Sequence, residues 1–216
     1  MKQGYKKSVD ARALLLDTAE MLFAEKGYFG VSVRDITDKA GLRNASINYH
    51  FETKEKLFLA VIDRRVEPLA NARLNKLAAA KIDPAQTELS VSQIVEAFAG
   101  PMVDFAAHGG PGWKNYCIIV AHLAVQKLWI DNAVSKKYDG HAICFLDALR
   151  QTFPNTDDVQ IHYCFQFMLS TTLYAVCDNK RIDTMSEGAI KSDDLASLRE
   201  PLLNFLSSGI LRVAGE

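Results

Sequence analysis

Residues 32–57 read SVRDITDKAGLRNASINYHFETKEKL, and this stretch decides the fold. Ser32 is followed three positions later by Asp35. That is the spacing of a capping box, with Asp in place of the usual Glu, and it predicts a helix beginning at Val33. Val33, Ile36, Thr37 and Ala40 would form its inner face, and Gly41 would end it. A second short helix is expected from about Asn44 to His50. Thr53 is a natural cap for the next helix, with Glu55 early in it, where negative charge suits the helix dipole. Two short helices joined by a tight glycine turn make a helix-turn-helix. Ala40 lets the two helices approach closely. Ile36, Leu42 and Ile47 are spaced to join a core with Leu22 and Phe23 of the preceding helix.

Outward from this stretch, helical periodicity continues in both directions. The first helix is expected from Asp10 to Lys26, with Leu14, Leu15, Thr18, Ala19, Leu22 and Phe23 on its buried face and Gly27 at its end. The helix after Thr53 should reach Ala79, with a kink or break at Pro68. Further helices are expected at 88–107, 114–130, 133–152, 158–179 and 193–213. The breakers lie between them, most clearly at His108-Gly109-Gly110-Pro111-Gly112. No segment alternates apolar and polar residues as a strand would. The reading is all-α, with a small N-terminal unit at 1–56 and a larger helical bundle at 57–216. Charge divides at the same place: residues 1–56 hold 10 basic and 8 acidic side chains, a balance of +2, and the remainder hold 15 and 18, a balance of −3.

The 216 residues carry 25 Lys+Arg against 26 Asp+Glu, and 49% are hydrophobic. This composition excludes a disordered chain and a protein that coats nucleic acid by bulk charge. No apolar run approaches the ~18 residues of a membrane span, and the start MKQGYKKSVDAR has no signal-peptide core. The cytoplasm is the expected compartment. Cys117, Cys144, Cys164 and Cys177 form no CxxC pair and are expected to be buried free thiols. His141 with Cys144, and His162 with Cys164, lack a closing ligand set, so no metal is expected. Neither a nucleophile–base frame nor a glycine-rich phosphate loop is present. An enzyme is therefore not expected, nor is a cofactor.

In a helix-turn-helix the second helix enters the major groove and the first braces it. Arg43, Asn44, Ser46, Asn48 and Tyr49 fall on the exposed side of that second helix. Arg can bond two guanine acceptors, Asn can pair with adenine, and Ser can donate or accept. His50 and Lys54 follow where a helix N-terminus could hold phosphate. The plainer readings are a semi-buried core Tyr49, a His50 that packs on the helix end, a solvated Lys54 and an Asn48 that only ends the helix. Lys6, Lys7 and Arg12 could form a phosphate-touching arm or a solvated tail. A helical adaptor using the same motif for protein contacts is the rival to DNA binding.

At Leu15–Gly27 (LLDTAEMLFAEKG), Ser32–Gly41 and Asn48-Tyr49-His50-Phe51 with Lys54, the chain resembles the TetR family of transcriptional regulators. The family often carries Thr where Val31 and Ser32 stand here. The resemblance implies that Tyr49 and Lys54 touch the DNA backbone. It implies base or phosphate contacts from Arg34, Arg43, Asn44, Ser46 and Asn48, with Ser32 and His50 completing the DNA-binding set. It further implies a ligand-responsive repressor, a palindromic operator in double-stranded DNA, and a homodimer formed through the last two helices. Residues 163–181 and 198–212 are similar to fatty-acid-responsive PsrA-type members, which implies a small apolar or acyl-type effector.

A bundle this rich in bulk either packs solid or encloses a ligand. Phe98, Met102, Phe105, Trp113, Tyr116, Trp129 and Phe145, beside Phe165 and Met168, are the candidate apolar lining. His122, Gln126, Gln166 and Tyr174 are the candidate polar markers, because a buried polar group needs a partner. Phe165, Leu169, Leu173, Val176, Leu198, Leu202, Phe205, Leu206 and Leu211 exceed what one small bundle needs to bury and are the candidate dimer face.

Overall fold

The computed structural model describes residues 2–81, 89–125 and 135–215. Ten helices and no strand occur among them: α1 (Lys2–Lys26), α2 (Val33–Ala40), α3 (Ala45–Phe51), α4 (Lys54–Ala80), α5 (Val91–His108), α6 (Pro111–Val125), α7 (Ser135–Thr152), α8 (Asp158–Ala175), α9 (Arg181–Met185) and α10 (Leu195–Ala214). The expected all-α architecture is what forms. The ends of the helices expected at 114–130 and 133–152 fall partly outside the described residues. α8 stops earlier than expected, at Ala175, and α9 is an added short helix.

Local chemistry explains the N-terminal unit. The Asp35 amide donates to Ser32 Oγ at 3.1 Å, and the Ser32 amide donates to the Asp35 carboxylate at 2.7 Å. α2 ends at Gly41 with φ 65°, in the left-handed region. Nothing lies within 4 Å of where a Cβ would stand at Gly41. A substitution there would therefore act through backbone strain alone. Gly41→Val is expected to lose about 1–2 kcal/mol, read from the urea midpoint, while Gly41→Asn, which tolerates this conformation, should lose much less. Equal losses for the two would sink the argument.

α1 presents Leu15, Leu16, Ala19, Leu22 and Phe23 to the interior, against Ile36 of α2 and Ile47 of α3, both fully buried. Leu14 was expected on this face but is 44% exposed. The stripe sits one residue further along, so that Leu15 and Leu16 straddle the contact. Edge-to-face rings bind this unit to α4: Phe23 meets Phe58 at 5.0 Å, and Tyr28 meets Phe58 at 5.0 Å.

α4 runs without interruption from Lys54, where Thr53 Oγ1 accepts from the Lys56 amide, to Ala80. The break expected at Pro68 does not occur. Pro68 faces solvent, so water can satisfy the carbonyl that loses its partner, while neighbours Val66, Leu69 and Ala70 are buried and hold the helix in place. At 27 residues it spans about 40 Å and is shared by both halves of the molecule. α5 is the central helix, buried on nearly all sides and packed against α4, α8 and α10. Of the cysteines, Cys117 and Cys164 are buried as expected and Cys177 is half-buried. Cys144, against expectation, is exposed on the outer face of α7. No cluster of His, Cys, Asp and Glu able to hold a metal, and no helix long and apolar enough to cross a membrane, occurs among the described residues.

Candidate functional site

The outward side of α2 and α3 gathers most of the expected DNA-binding residues. Ile47 and Phe51 anchor α3 inward, which turns Arg43, Asn48 and Tyr49 to solvent. Tyr49 is 78% exposed, edge-on to the His50 ring at 4.8 Å, so it is not a core tyrosine. Ser46 and His50 are half-buried. Arg34 is exposed on α2, in a loose ion pair with Asp38 at 3.4 Å that an incoming phosphate could replace.

Lys54 is also half-buried, its ammonium 4.1 Å above the Tyr28 ring. Burial pulls its pKa below the ordinary lysine value, opposed by the Asp35 charge. Two residues of the set are already engaged. Ser32 Oγ is committed to the capping box, and the Thr37 hydroxyl bonds the Asn44 side chain across the turn. Both hold the shape of the motif in this geometry. The Asp35 carboxyl sits below the usual range because the Ser32 hydroxyl and amide bond it.

The second site is a cavity of about 320 Å³ between α4, α5, α6, α7 and α8. Val66, Leu69, Ala70 and Arg73 of α4 form one wall. Phe98, Val120, Leu123, Phe145, Phe165, Leu169 and Leu173 supply most of the rest, with Tyr138, Asp139 and His141 contributed by α7. Phe98 meets Phe145 edge-on at 5.1 Å and Phe165 at 5.5 Å. Of the expected ligand residues, Phe98, Phe145 and Phe165 line this space. Met102 and Tyr116 stand just behind the wall, Met102 Sδ at 3.6 Å from Arg73 Nη2 and the Tyr116 hydroxyl at 2.9 Å from that of Tyr138.

The other candidates lie elsewhere. Phe105 and Trp113 stack at 4.1 Å outside the lining, with Arg65 over the Trp113 ring. His122 is exposed near Phe23 and Phe58. Gln166 and Tyr174 face solvent, because Cys164, Met168, Thr172 and Leu173 already occupy the inner face of α8. Gln126 and Trp129 lie outside the described residues.

α8 and α10 expose a third feature, an apolar face. Tyr163 and Phe167 stack at 6.1 Å on α8, beside exposed Phe205 and Val213 of α10. A groove of about 300 Å³ runs between Phe167, Thr171, Phe205 and Gly209. The expected dimer residues divide. Phe205 and Leu211 are exposed, and Leu198 is half-buried. Phe165, Leu169 and Leu173 serve the cavity, while Val176, Leu202 and Leu206 are spent on the protein's own core.

Residue reasoning missed Arg73 and Tyr138. A signal existed for Arg73. Val66, Leu69, Ala70, Arg73 and Leu77 recur at three-to-four spacing, so a lone arginine stands on an otherwise apolar stripe.

Comparison with known proteins follows the same division. Residues 15–61 match the model for bacterial regulatory proteins of the tetR family, and residues 96–209 match the tetracyclin repressor-like C-terminal domain. The transcriptional activator FasR of Mycolicibacterium smegmatis is 29% identical over 105 residues, 49% of this chain and 44% of that one. The transcriptional repressor KstR2 of Rhodococcus jostii is 48% identical over 46 residues, 21% of this chain and 22% of that one. The chain thus spans less than half the length of the curated relatives it matches. Among solved structures, the fatty acid degradation regulator FadR of Bacillus halodurans has a TM-score of 0.64 at 16% identity, covering 92% of this chain and 95% of that one. The ketosteroid regulator KstR2 of Mycobacterium tuberculosis has a TM-score of 0.58 at 19% identity, over 92% and 93%. These are transcription regulators, not enzymes, and the likeness to the solved structures is one of fold. Since the C-terminal match alone covers more than half of the residues and an N-terminal match adjoins it, the chain belongs to the TetR family of transcriptional regulators.

Proposed function

We propose that the protein is a cytoplasmic, ligand-responsive repressor that binds a palindromic operator as a homodimer. Residues 1–56 read the DNA, and residues 57–216 bind effector and partner. One observation carries this reading: α4 belongs to both sites. Its first residue, Lys54, stands at the reader, and Val66, Leu69, Ala70 and Arg73 form a wall of the cavity. The 20 residues from Lys54 to Arg73 span about 28 Å of continuous helix. An effector that fits one α4 position better than another changes the spacing of the two readers in a dimer, and with it the DNA affinity. The apolar cavity supports a small apolar or acyl-type effector.

In the DNA complex, Arg34, Arg43, Ser46, Asn48 and His50 supply base and phosphate contacts, while Tyr49 and Lys54 hold the backbone. Ser32 and Asn44 contribute chiefly by fixing the turn. The test is fluorescence anisotropy on duplexes tiled across the DNA flanking the protein's own gene. Tight binding to one of them, weakening as salt rises, is expected. Tyr49→Ala and Lys54→Ala should each weaken that binding by about tenfold and leave the melting temperature nearly unchanged. Binding to no tiled duplex at low salt, or full affinity in both variants, would overturn the proposal and favour the adaptor.

A further inference from the structure

Arg73 is a charged group with no charged partner among the described residues, in an apolar place. It is 9% exposed and borders the cavity. Nε donates to the Phe98 carbonyl at 2.7 Å, and the guanidinium carbon lies 4.0 Å above the Phe98 ring. Nη2 reaches only the Met102 thioether, a weak acceptor, at 3.6 Å. Nη1 has no hydrogen-bond partner among the described residues, and no carboxylate among them forms an ion pair with Arg73. Asp139, the one carboxylate among the described residues of the cavity lining, faces solvent. Burial pulls the Arg73 guanidinium down to about 10, which leaves it charged at neutral pH. A buried charge without a partner is expensive, so its presence on an otherwise apolar stripe asks for an anion from outside the chain.

A second donor stands beside it. The hydroxyls of Tyr116 and Tyr138 are 2.9 Å apart. Burial pushes Tyr116 up to about 12 and Tyr138 well above the usual tyrosine value, so both keep their protons. Two phenols carry two hydrogens, and the bond between them uses one. With Tyr116 as the donor, the Tyr138 hydrogen is left for the cavity that Tyr138 lines.

We infer that the cavity takes an amphiphilic monoanion, with its carboxylate on Arg73 and Tyr138 and its apolar body between Leu69, Phe98, Phe145 and Phe165. This inference rests on the cavity being the effector site. One guanidinium neutralises one carboxylate, whereas a phosphate dianion would leave an uncompensated charge in the same apolar walls. The bidentate fork of Arg adds geometric selection to the charge.

The probes are dodecanoate against dodecanol, and naphthylacetate against naphthylethanol, titrated by calorimetry into the full-length protein. At least one carboxylate should bind, about tenfold or more tighter than its alcohol, as a charge-assisted pair requires. Arg73→Met should abolish that preference, and Arg73→Lys should restore part of it. Without ligand, Arg73→Met should melt at the wild-type temperature or above it, since an unpartnered buried charge is replaced by an apolar chain. A melting temperature several degrees lower would instead make Arg73 a structural brace. Binding of neither carboxylate, equal binding of acid and alcohol, or a preference that survives in Arg73→Met would each overturn the inference. Operator release is read separately. A carboxylate that binds but leaves DNA affinity unchanged refutes the regulatory reading, while an alcohol that binds equally and releases DNA refutes only the ligand class.

Discussion

Glu20→Ala is expected to lower the free energy of unfolding by about 3 kcal/mol. Glu20 lies on α1 at 3% exposure, with its carboxylate 3.0 and 3.3 Å from Arg65 Nη2 and 3.5 Å from Arg64 Nη1. The two arginines would feel its loss unequally. Arg64 keeps Asp17 at 2.7 Å, an exposed pair worth little but still a partner. Arg65 keeps none. Its Nε already has no hydrogen-bond partner among the described residues, and its guanidinium lies 5.1 Å from the centre of the Trp113 ring. The expected loss is therefore mainly the penalty of a half-buried guanidinium left uncompensated. Glu20→Leu combined with Arg65→Met should recover most of it, because packed apolar side chains often match a buried pair in stability. Denaturant midpoints with unchanged slopes would measure both. A loss below about 0.5 kcal/mol in Glu20→Ala, the range of ordinary surface changes, would refute the argument.

That ion pair also joins the helix-turn-helix unit to the C-terminal bundle. α1 belongs to the reader, α4 to both units and α6 to the bundle, and Glu20, Arg65 and Trp113 come one from each. α6 approaches this closely because residue 112 is glycine: a Cβ there would overlap the Arg65 guanidinium and the Glu20 carboxylate. Trp113 in turn stacks on Phe105 of α5. Under the proposed effector reading, a shift of α5 or α6 meets a polar joint that connects directly to α1, a second route to the helix-turn-helix besides α4 itself.

The reader was legible in the sequence because its determinants are local. The Ser32–Asp35 box, the left-handed Gly41 and the Thr53 cap each act within three or four residues, and each forms as expected. The bundle was less legible because its determinants are not local. Apolar bulk at Phe98 and Phe145 identified cavity walls, yet equally bulky Phe105 and Trp113 pack elsewhere, and nothing in their own windows separates the two outcomes. Polar residues inside apolar runs misled for Gln166 and Tyr174, since α8 has a solvent face between apolar neighbours. The same logic would have succeeded on α4, where Arg73 breaks a regular stripe. Leu206 and Phe205 are adjacent in sequence and alike in hydropathy, yet only Phe205 is exposed. Helix rotation, set by partners distant in sequence, decides between them.

Phe205→Glu should convert the proposed dimer to a monomer while leaving the protomer folded. Phe205 is 68% exposed and borders the groove with Phe167, Thr171 and Gly209, so its removal takes little from the protomer's own core. A two-fold interface uses the same patch on both subunits. Each new carboxylate would therefore be desolvated against the apolar face of the partner copy, near its own symmetry mate. Truncations at central interface aromatics commonly cost 2 kcal/mol or more, and a buried unpaired charge adds to that. The dimer dissociation constant should rise by about 100-fold or more, seen by sedimentation. Operator affinity should fall by a similar factor, because a lone reader grips a single half-site. Placing Glu at exposed Gln151 on α7 instead should change neither quantity. A Phe205→Glu protein that remains as firmly dimeric as wild type would put the interface elsewhere, and one that loses its melting transition would show that Phe205 supports the protomer after all.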